Sequence, residues 1–167
     1  SVPNLNFAAS DSRPRYFQIR GIRERSGYEG TPNSSVGFLI DDIDFSGQGG
    51  IASSYDIKQI EVYRGPQGSR MGANALAGMI YVKTNDPVDN FFAKTDLILG
   101  DYGRKDLGAV VNVPISSDFK YRLSLKKEDS DGFRKNIYLN RSDTSRKDEK
   151  SYRFKLDWNL SDTSSLD

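Results

Sequence analysis

The chain has 167 residues, 36% of them hydrophobic and 28% charged, and its 24 basic and 23 acidic side chains leave a formal net charge of +1. That balance provides no electrostatic footprint for nucleic acid, and no stretch approaches the roughly 18 consecutive apolar residues of a membrane-spanning helix. Cysteine and histidine are absent, which removes disulfides, thiolate and imidazole metal sites, and Ser-His or Cys-His catalysis.

The chain opens on Ser1-Val2-Pro3 without an initiator methionine, as expected for a piece of a longer protein. Residues 1–14 are polar and turn-rich, and Tyr16 to Ile22 (YFQIRGI) then reads as a short strand. Arg23 to Ser35 has no period and is broken by Gly27, Gly30 and Pro32, the composition of a loop. Val36 to Phe45 (VGFLIDDIDF) is an apolar strand that ends in aspartates. Asp41, Asp42 and Asp44 lack the ligand spacing, central glycine and terminal glutamate of a calcium loop, so a polar strand end is expected there. Ser46 to Ser54 reads as a second flexible loop, and Tyr55 to Gln59 as a helical turn leading into Ile60.

Ile60 and Val62, then Ile80 and Val82, recur at strand spacing on either side of a segment crowded with glycine and alanine. Gly65, Gly68, Gly72 and Gly78, with Pro66, mark tight turns and close backbone approaches. The segment therefore reads as strand, glycine-rich turn, short helical turn, strand. It is no phosphate loop, because Gly72 is followed by Ala73 and Asn74 rather than by lysine and a hydroxyl residue. Glu61, Val62, Arg64, Gly65, Pro66, Gln67 and Gly68 match the strand end E-V-L-R-G-P-Q-G of the plug domain of TonB-dependent outer-membrane receptors. Gly72, Asn74, Ala75, Gly78, Ile80, Val82 and Thr84 match the pattern that follows it in that family. Tyr63, Arg70, Met71 and Ala77 depart from the usual residues without removing a charged or turn-forming position.

The chain thus resembles that family. Ile19, Arg20 and Gly21 resemble the I-R-G end of its early plug strand, and Val36 to Phe45 its V-x-V-D-G-V strand, with Asp41 at its aspartate and Asp42 at the usual glycine, a turn site that aspartate tolerates. The resemblance implies that Arg23, Arg25 and Tyr28 in one apical loop, and Gln48 and Tyr55 near the other, meet a ligand. It also implies that Arg64, with Glu61, Arg20 and Arg70, holds plug to wall. An arginine enclosed in a lumen needs carboxylate partners, and stripping them costs on the order of 3 to 5 kcal/mol.

Asn85 to Asn90 (NDPVDN) interrupts the pattern at Pro87, and the domain boundary is expected there, with the plug over residues 1–88 and wall strands over 89–167. Beyond it, alternation becomes regular. Tyr121, Leu123 and Leu125 oppose Lys120, Arg122, Ser124 and Lys126, while Tyr152, Phe154, Leu156, Trp158 and Leu160 oppose the polar residues between them. Ala93 to Leu99 and Leu107 to Val113 are noisier strands. A membrane barrel wall requires strands of this kind, and their two faces average to a hydrophilic composition, here a mean hydropathy of −0.64. A soluble antiparallel sheet with one buried face has the same period. The links after Val113 and Leu160 are short whereas Ser130 to Lys150 is long and polar, the outer-membrane pattern with its short turns periplasmic. Four strands cannot close a barrel, and plugged transporters have about 22.

The expected fold class is mainly β: an α+β plug with a small mixed sheet and short helices, followed by antiparallel strands of an incomplete transmembrane barrel. The resemblance implies the outer membrane of a Gram-negative bacterium and active uptake of a scarce, bulky ligand, most often a ferric siderophore. Energy would come from the TonB-ExbB-ExbD system, gripping a TonB box that precedes the plug, and outer-membrane lipid is the remaining partner. No cofactor, resident metal, nucleic acid or covalent chemistry is expected. The alternative is a soluble β-rich ligand-binding or adhesion module, which would fold alone in water.

Overall fold

A computed structural model describes residues 2–9, 14–22, 34–48, 53–68, 75–141, 144–161 and 164–166. Its strands among the described residues are β1 (Leu5–Ala9), β2 (Pro14–Ile19), β3 (Val36–Ile40), β4 (Ile43–Asp44), β5 (Ile57–Arg64), β6 (Gly78–Thr84), β7 (Phe92–Leu99), β8 (Lys105–Pro114), β9 (Phe119–Ser130), β10 (Lys147–Ser161) and β11 (Ser164–Leu166). They divide into two compact units, Ser1–Thr84 and Asn85–Asp167.

In the first unit, β1 and β2 form an antiparallel hairpin with Leu5 opposite Ile19. The first fourteen residues, expected to be turns, therefore include a strand. Its five residues, LNFAA, are too few for a period to stand out, and pairing with β2 supplies what local pattern does not. A second sheet runs in the order β4-β3-β6-β5. There β6 lies parallel to β3, from Val36 opposite Gly78 to Ile40 opposite Val82, and antiparallel to β5.

A strand paired on both edges and covered on both faces reads as a continuous apolar run, which is why β6 is GMIYVKT with Met79, Ile80, Tyr81 and Val82 all buried. Ile80 and Val82 pack with Ile19, Val36, Phe38 and Ala77 on one face, while Met79 and Tyr81 pack with Leu39 and Ala75 on the other. Phe17 and Phe38 stack at 5.3 Å between ring centroids. Burying each large apolar side chain of this kind stabilises by about 1.5–3 kcal/mol.

Two turns shape this unit. Asp41 (φ 47°) and Asp42 (φ 68°) make the two-residue connection from β3 to β4, the left-handed geometry of a primed hairpin turn that aspartate accepts. Asp56 (φ 57°) turns the chain into β5, so the helical turn expected over Tyr55 to Gln59 is a tight turn followed by strand from Ile57. Ile57 and Ile60 favour extended backbone, and the ladder to β6 settles the choice. The short helical turn expected after the glycine-rich turn falls on a segment that includes residues 69–74, which are outside the described residues.

The second unit is one antiparallel sheet in the order β11-β10-β9-β8-β7. Each strand pairs with the next in sequence, so residues 100–104 and 131–146 connect strands at one end and residues 115–118 at the other. β9 and β10 extend to Ser130 and from Lys147, so the long connection is shorter than the alternation suggested.

Candidate functional site

The glycine-punctuated hairpin is stitched from its backbone outward. After β5, Gly65 N donates to Ala77 O (3.1 Å) and Gln67 N to Ala75 O (3.0 Å), so the Gly-Pro-Gln-Gly segment runs back along residues 75–77. Ala75 N and Ala77 N in turn donate to Ser34 O (2.9 Å) and Ser35 O (2.8 Å), which ties the loop to the entry of β3. Gly78 starts β6 at φ 152°, where a Cβ would sit 2.3 Å from Tyr63 O and 2.7 Å from Ile19 Cδ1. Only glycine fits that crossing without displacing backbone. Gly65 also has positive φ, at 126°, with open space around it among the described residues.

Each residue singled out in the sequence has a definite place or lies outside the description. Glu61, half-buried on β5, accepts from Gln59 Nε2 at 2.7 Å and from the Tyr63 hydroxyl, so its close partners are on its own strand. Arg64 ends β5 opposite Gly78, is exposed, and has no ion pair among the described residues. Arg20 is exposed at φ 52°, with its backbone N–H on Asn4 O at 3.0 Å. Gln48 is exposed and closes a turn onto Phe45 O at 2.9 Å, whereas Tyr55 is half-buried with its N–H on Ser53 Oγ at 3.3 Å. Gly68 has no neighbour among the described residues within 4 Å of where a Cβ would be. Arg23, Arg25, Tyr28, Arg70 and Gly72 lie outside the described residues.

The structure adds a contact that the motif did not announce. Asp41 takes the Thr84 N–H on Oδ1 at 2.8 Å and the Thr84 hydroxyl on Oδ2, while its own N–H reaches Val82 O at 3.0 Å. The end of β6 is thereby clamped to the end of β3. No group of acidic residues that could hold a metal ion occurs among the described residues.

In the second unit the sheet has two unlike faces. Cross-strand register aligns Ala93, Val111, Leu123 and Phe154 in one row, Thr95, Ala109, Leu125 and Tyr152 in the next, and Phe119 with Trp158 toward one end. Most of this apolar face is open: Leu97 is 67% exposed, Leu107 55%, Tyr152 71% and Phe154 62%. Phe119 and Trp158 meet edge to face at 5.7 Å. The opposite face is the polar one and is the better covered. Asp106, Asn112, Arg122 and Ser124 there are all buried, and the Arg122 guanidinium lies over the Phe92 ring at 4.9 Å. Lys147 pairs with Glu128 at 2.7 Å and Glu149 at 3.3 Å, and Lys120 with Asp157 at 3.5 Å. In the turn at the end of β7, Arg104 binds Asp106 Oδ2 through Nη2 at 2.6 Å and Nε at 3.0 Å. That hydrogen bond and the carboxylate charge raise its pKa above the ordinary arginine value. A sheet that exposes its apolar face and covers its polar face inverts the rule for water-soluble proteins and follows the one for barrels in lipid.

Comparison with known proteins locates these features. Residues 1–79 match the family model of the TonB-dependent receptor plug domain. The fold of nearly the whole chain is found in solved outer-membrane receptors. The pyoverdine receptor FpvA of Pseudomonas aeruginosa PAO1 superposes with a TM-score of 0.72 at 17% identity, over 98% of this chain and 22% of that one. The ferric yersiniabactin uptake receptor FyuA of Yersinia pestis gives 0.70 at 18% identity, over 94% and 25%. The alcaligin receptor FauA of Bordetella pertussis gives 0.69 at 16%, over 96% and 25%. The chain thus spans a quarter or less of the length of these receptors.

Proposed function

We propose that this chain, whose residues 1–79 match the TonB-dependent receptor plug domain, is part of an outer-membrane transporter that imports a ferric siderophore with TonB-coupled energy. One observation carries the reading: a plug unit runs directly into antiparallel hairpins whose apolar face is exposed and whose polar face is covered. The fold is that of receptors whose own ligands are pyoverdine and yersiniabactin. The apolar rows face outer-membrane lipid and the polar face lines a lumen.

The physical logic follows from size. A lumen wide enough for a bulky chelate would leak, so a stopper fills it and the cargo binds above. Arg23, Arg25, Tyr28, Gln48 and Tyr55 are the cargo-facing candidates. Arg64, with Arg20 and Arg70, secures the stopper against carboxylates of the wall, and Glu61 is a further contact between plug and wall. Passage then requires the stopper to rearrange, and TonB, driven through ExbB and ExbD, supplies the work at a TonB box in the longer protein. The residues bind, seal and release, and no covalent bond is made.

The test is uptake by the complete receptor in cells with and without TonB, using ferric hydroxamate, ferric catecholate and mixed-ligand chelates. TonB-dependent accumulation of one of them is expected, and equal accumulation without TonB, or none of any chelate, would overturn the reading. Arg64→Ala is expected to increase entry of small solutes and large antibiotics. Unchanged leakage together with unchanged uptake would remove Arg64 from its sealing role.

A further inference from the structure

The segment Asn85 to Asn90 enters the second unit as an irregular stretch, yet it is held there more tightly than a connecting strand needs to be. Asn112, on the polar face of β8, is fully buried, and its carboxamide is spent on this segment. Nδ2 donates to Val88 O and to Asn90 O, both at 2.8 Å, and Oδ1 accepts from Val88 N at 3.0 Å. Both donors and the acceptor therefore read the backbone of the segment, as one strand reads another. On either side, Lys120 of β9 binds Asp89 at 2.8 Å and Lys155 of β10 binds Asp86 at 2.8 Å. Three successive strands each contribute one side chain. Pro87, between the two ion pairs, has a fixed φ and no N–H that would need a partner.

A flexible connection leaves its backbone groups to water. This one gives them to a buried side chain, and the two ion pairs, being partly exposed, add position more than stability. We infer that residues 85–90 are a fixed stem of the second unit, and that when the first unit rearranges it turns about the Thr84–Asn85 junction while the stem stays on the wall. The part of this inference that concerns transport rests on the function proposed above. The stem itself does not.

Native-state hydrogen exchange of the complete receptor in detergent, followed through a urea series, tests the stem. The Val88 amide is expected to exchange with the cooperative unit of Leu123 and Phe154, and at lower protection the amides of Ile80 and Val82 with the first unit. Val88 exchanging with Ile80 and Val82, or at the rate of a solvated amide, would overturn the assignment. Asn112→Ala is expected to speed Val88 exchange by about tenfold or more while β9 and β10 amides keep their rates. Unchanged Val88 exchange in a folded Asn112→Ala receptor would equally overturn it, and the unsubstituted receptor decides the matter if that variant does not fold.

A second arm concerns transport. Cysteines placed at Asp86 and Lys155 and joined by a short bis-methanethiosulfonate are expected to leave uptake of radiolabelled ferric chelate at the rate of the reduced receptor. Uptake lost on joining and restored on reduction would show that the stem must move. If neither form accumulates any chelate, the proposed function fails, and the exchange experiment alone rules on the stem.

Discussion

At Gly78 the chain crosses so close to Tyr63 O that even a methyl group has no room, and the backbone there is at a φ that L side chains avoid. Gly78→Ala is therefore expected to destabilise the first unit by about 2–4 kcal/mol, from combined overpacking and backbone strain. Gly68→Ala, at a site with open space, is expected to cost about 1 kcal/mol or less. Hydrogen exchange at β6 in the two variants measures the difference, and equal protection would show that the crossing relaxes freely. Asp41→Ala leaves the buried Thr84 hydroxyl and amide without their carboxylate and is expected to cost about 1–3 kcal/mol by the same readout. Gly78 was legible in the sequence as a site of close backbone approach, but its partners were not, because they are Tyr63 and Ile19 of other strands. The Asp41–Thr84 clamp joins residues 43 apart, which no local pattern can announce. Asn112 did leave a trace, a lone amide within the apolar run of β8, with nothing to say that the linker was its partner.

At the scale of elements, burial decided what could be read. β6 is apolar almost throughout and β10 alternates for most of its length, so both were visible as strands. β1 has neither property and depends on β2, and the start of β5 was mistaken for a helical turn because Tyr55 to Gln59 carries no alternation of its own. The two faces of the second sheet were legible as a period, though period alone could not say which face met water. Exposure adds what the period lacks: the tyrosine and phenylalanine of β10 are open and the asparagine and arginine of β8 and β9 are covered. A charge at the middle of the outward apolar rows is then costly. If these strands line a membrane barrel as proposed, Phe154→Arg is expected to destabilise it by about 2–4 kcal/mol, and Ser151→Arg on the opposite face by less than about 1 kcal/mol. Urea unfolding of the receptor from lipid bilayers measures both. Equal costs would mean that the two faces see the same medium.

For the whole molecule, the two units have different grounds of stability. The first is cored by side chains buried on both faces of β6. The second is a single sheet whose apolar side is largely exposed among the described residues, a face that in water invites aggregation and in lipid is already satisfied. The plug resemblance was carried by the residues around Arg64 and Gly65, whereas the wall was carried only by alternation, and it is the wall that distinguishes a receptor from a soluble module. The most direct measurement is made along β10. With a nitroxide placed in turn at each position from Tyr152 to Leu160 of the complete receptor in bilayers, collision rates with oxygen and with a water-soluble nickel chelate report the medium at each site. Strict alternation is expected, with 152, 154, 156, 158 and 160 open to oxygen and closed to nickel, and the positions between them reversed. Nickel reaching both sets alike, or the opposite phase, would contradict it.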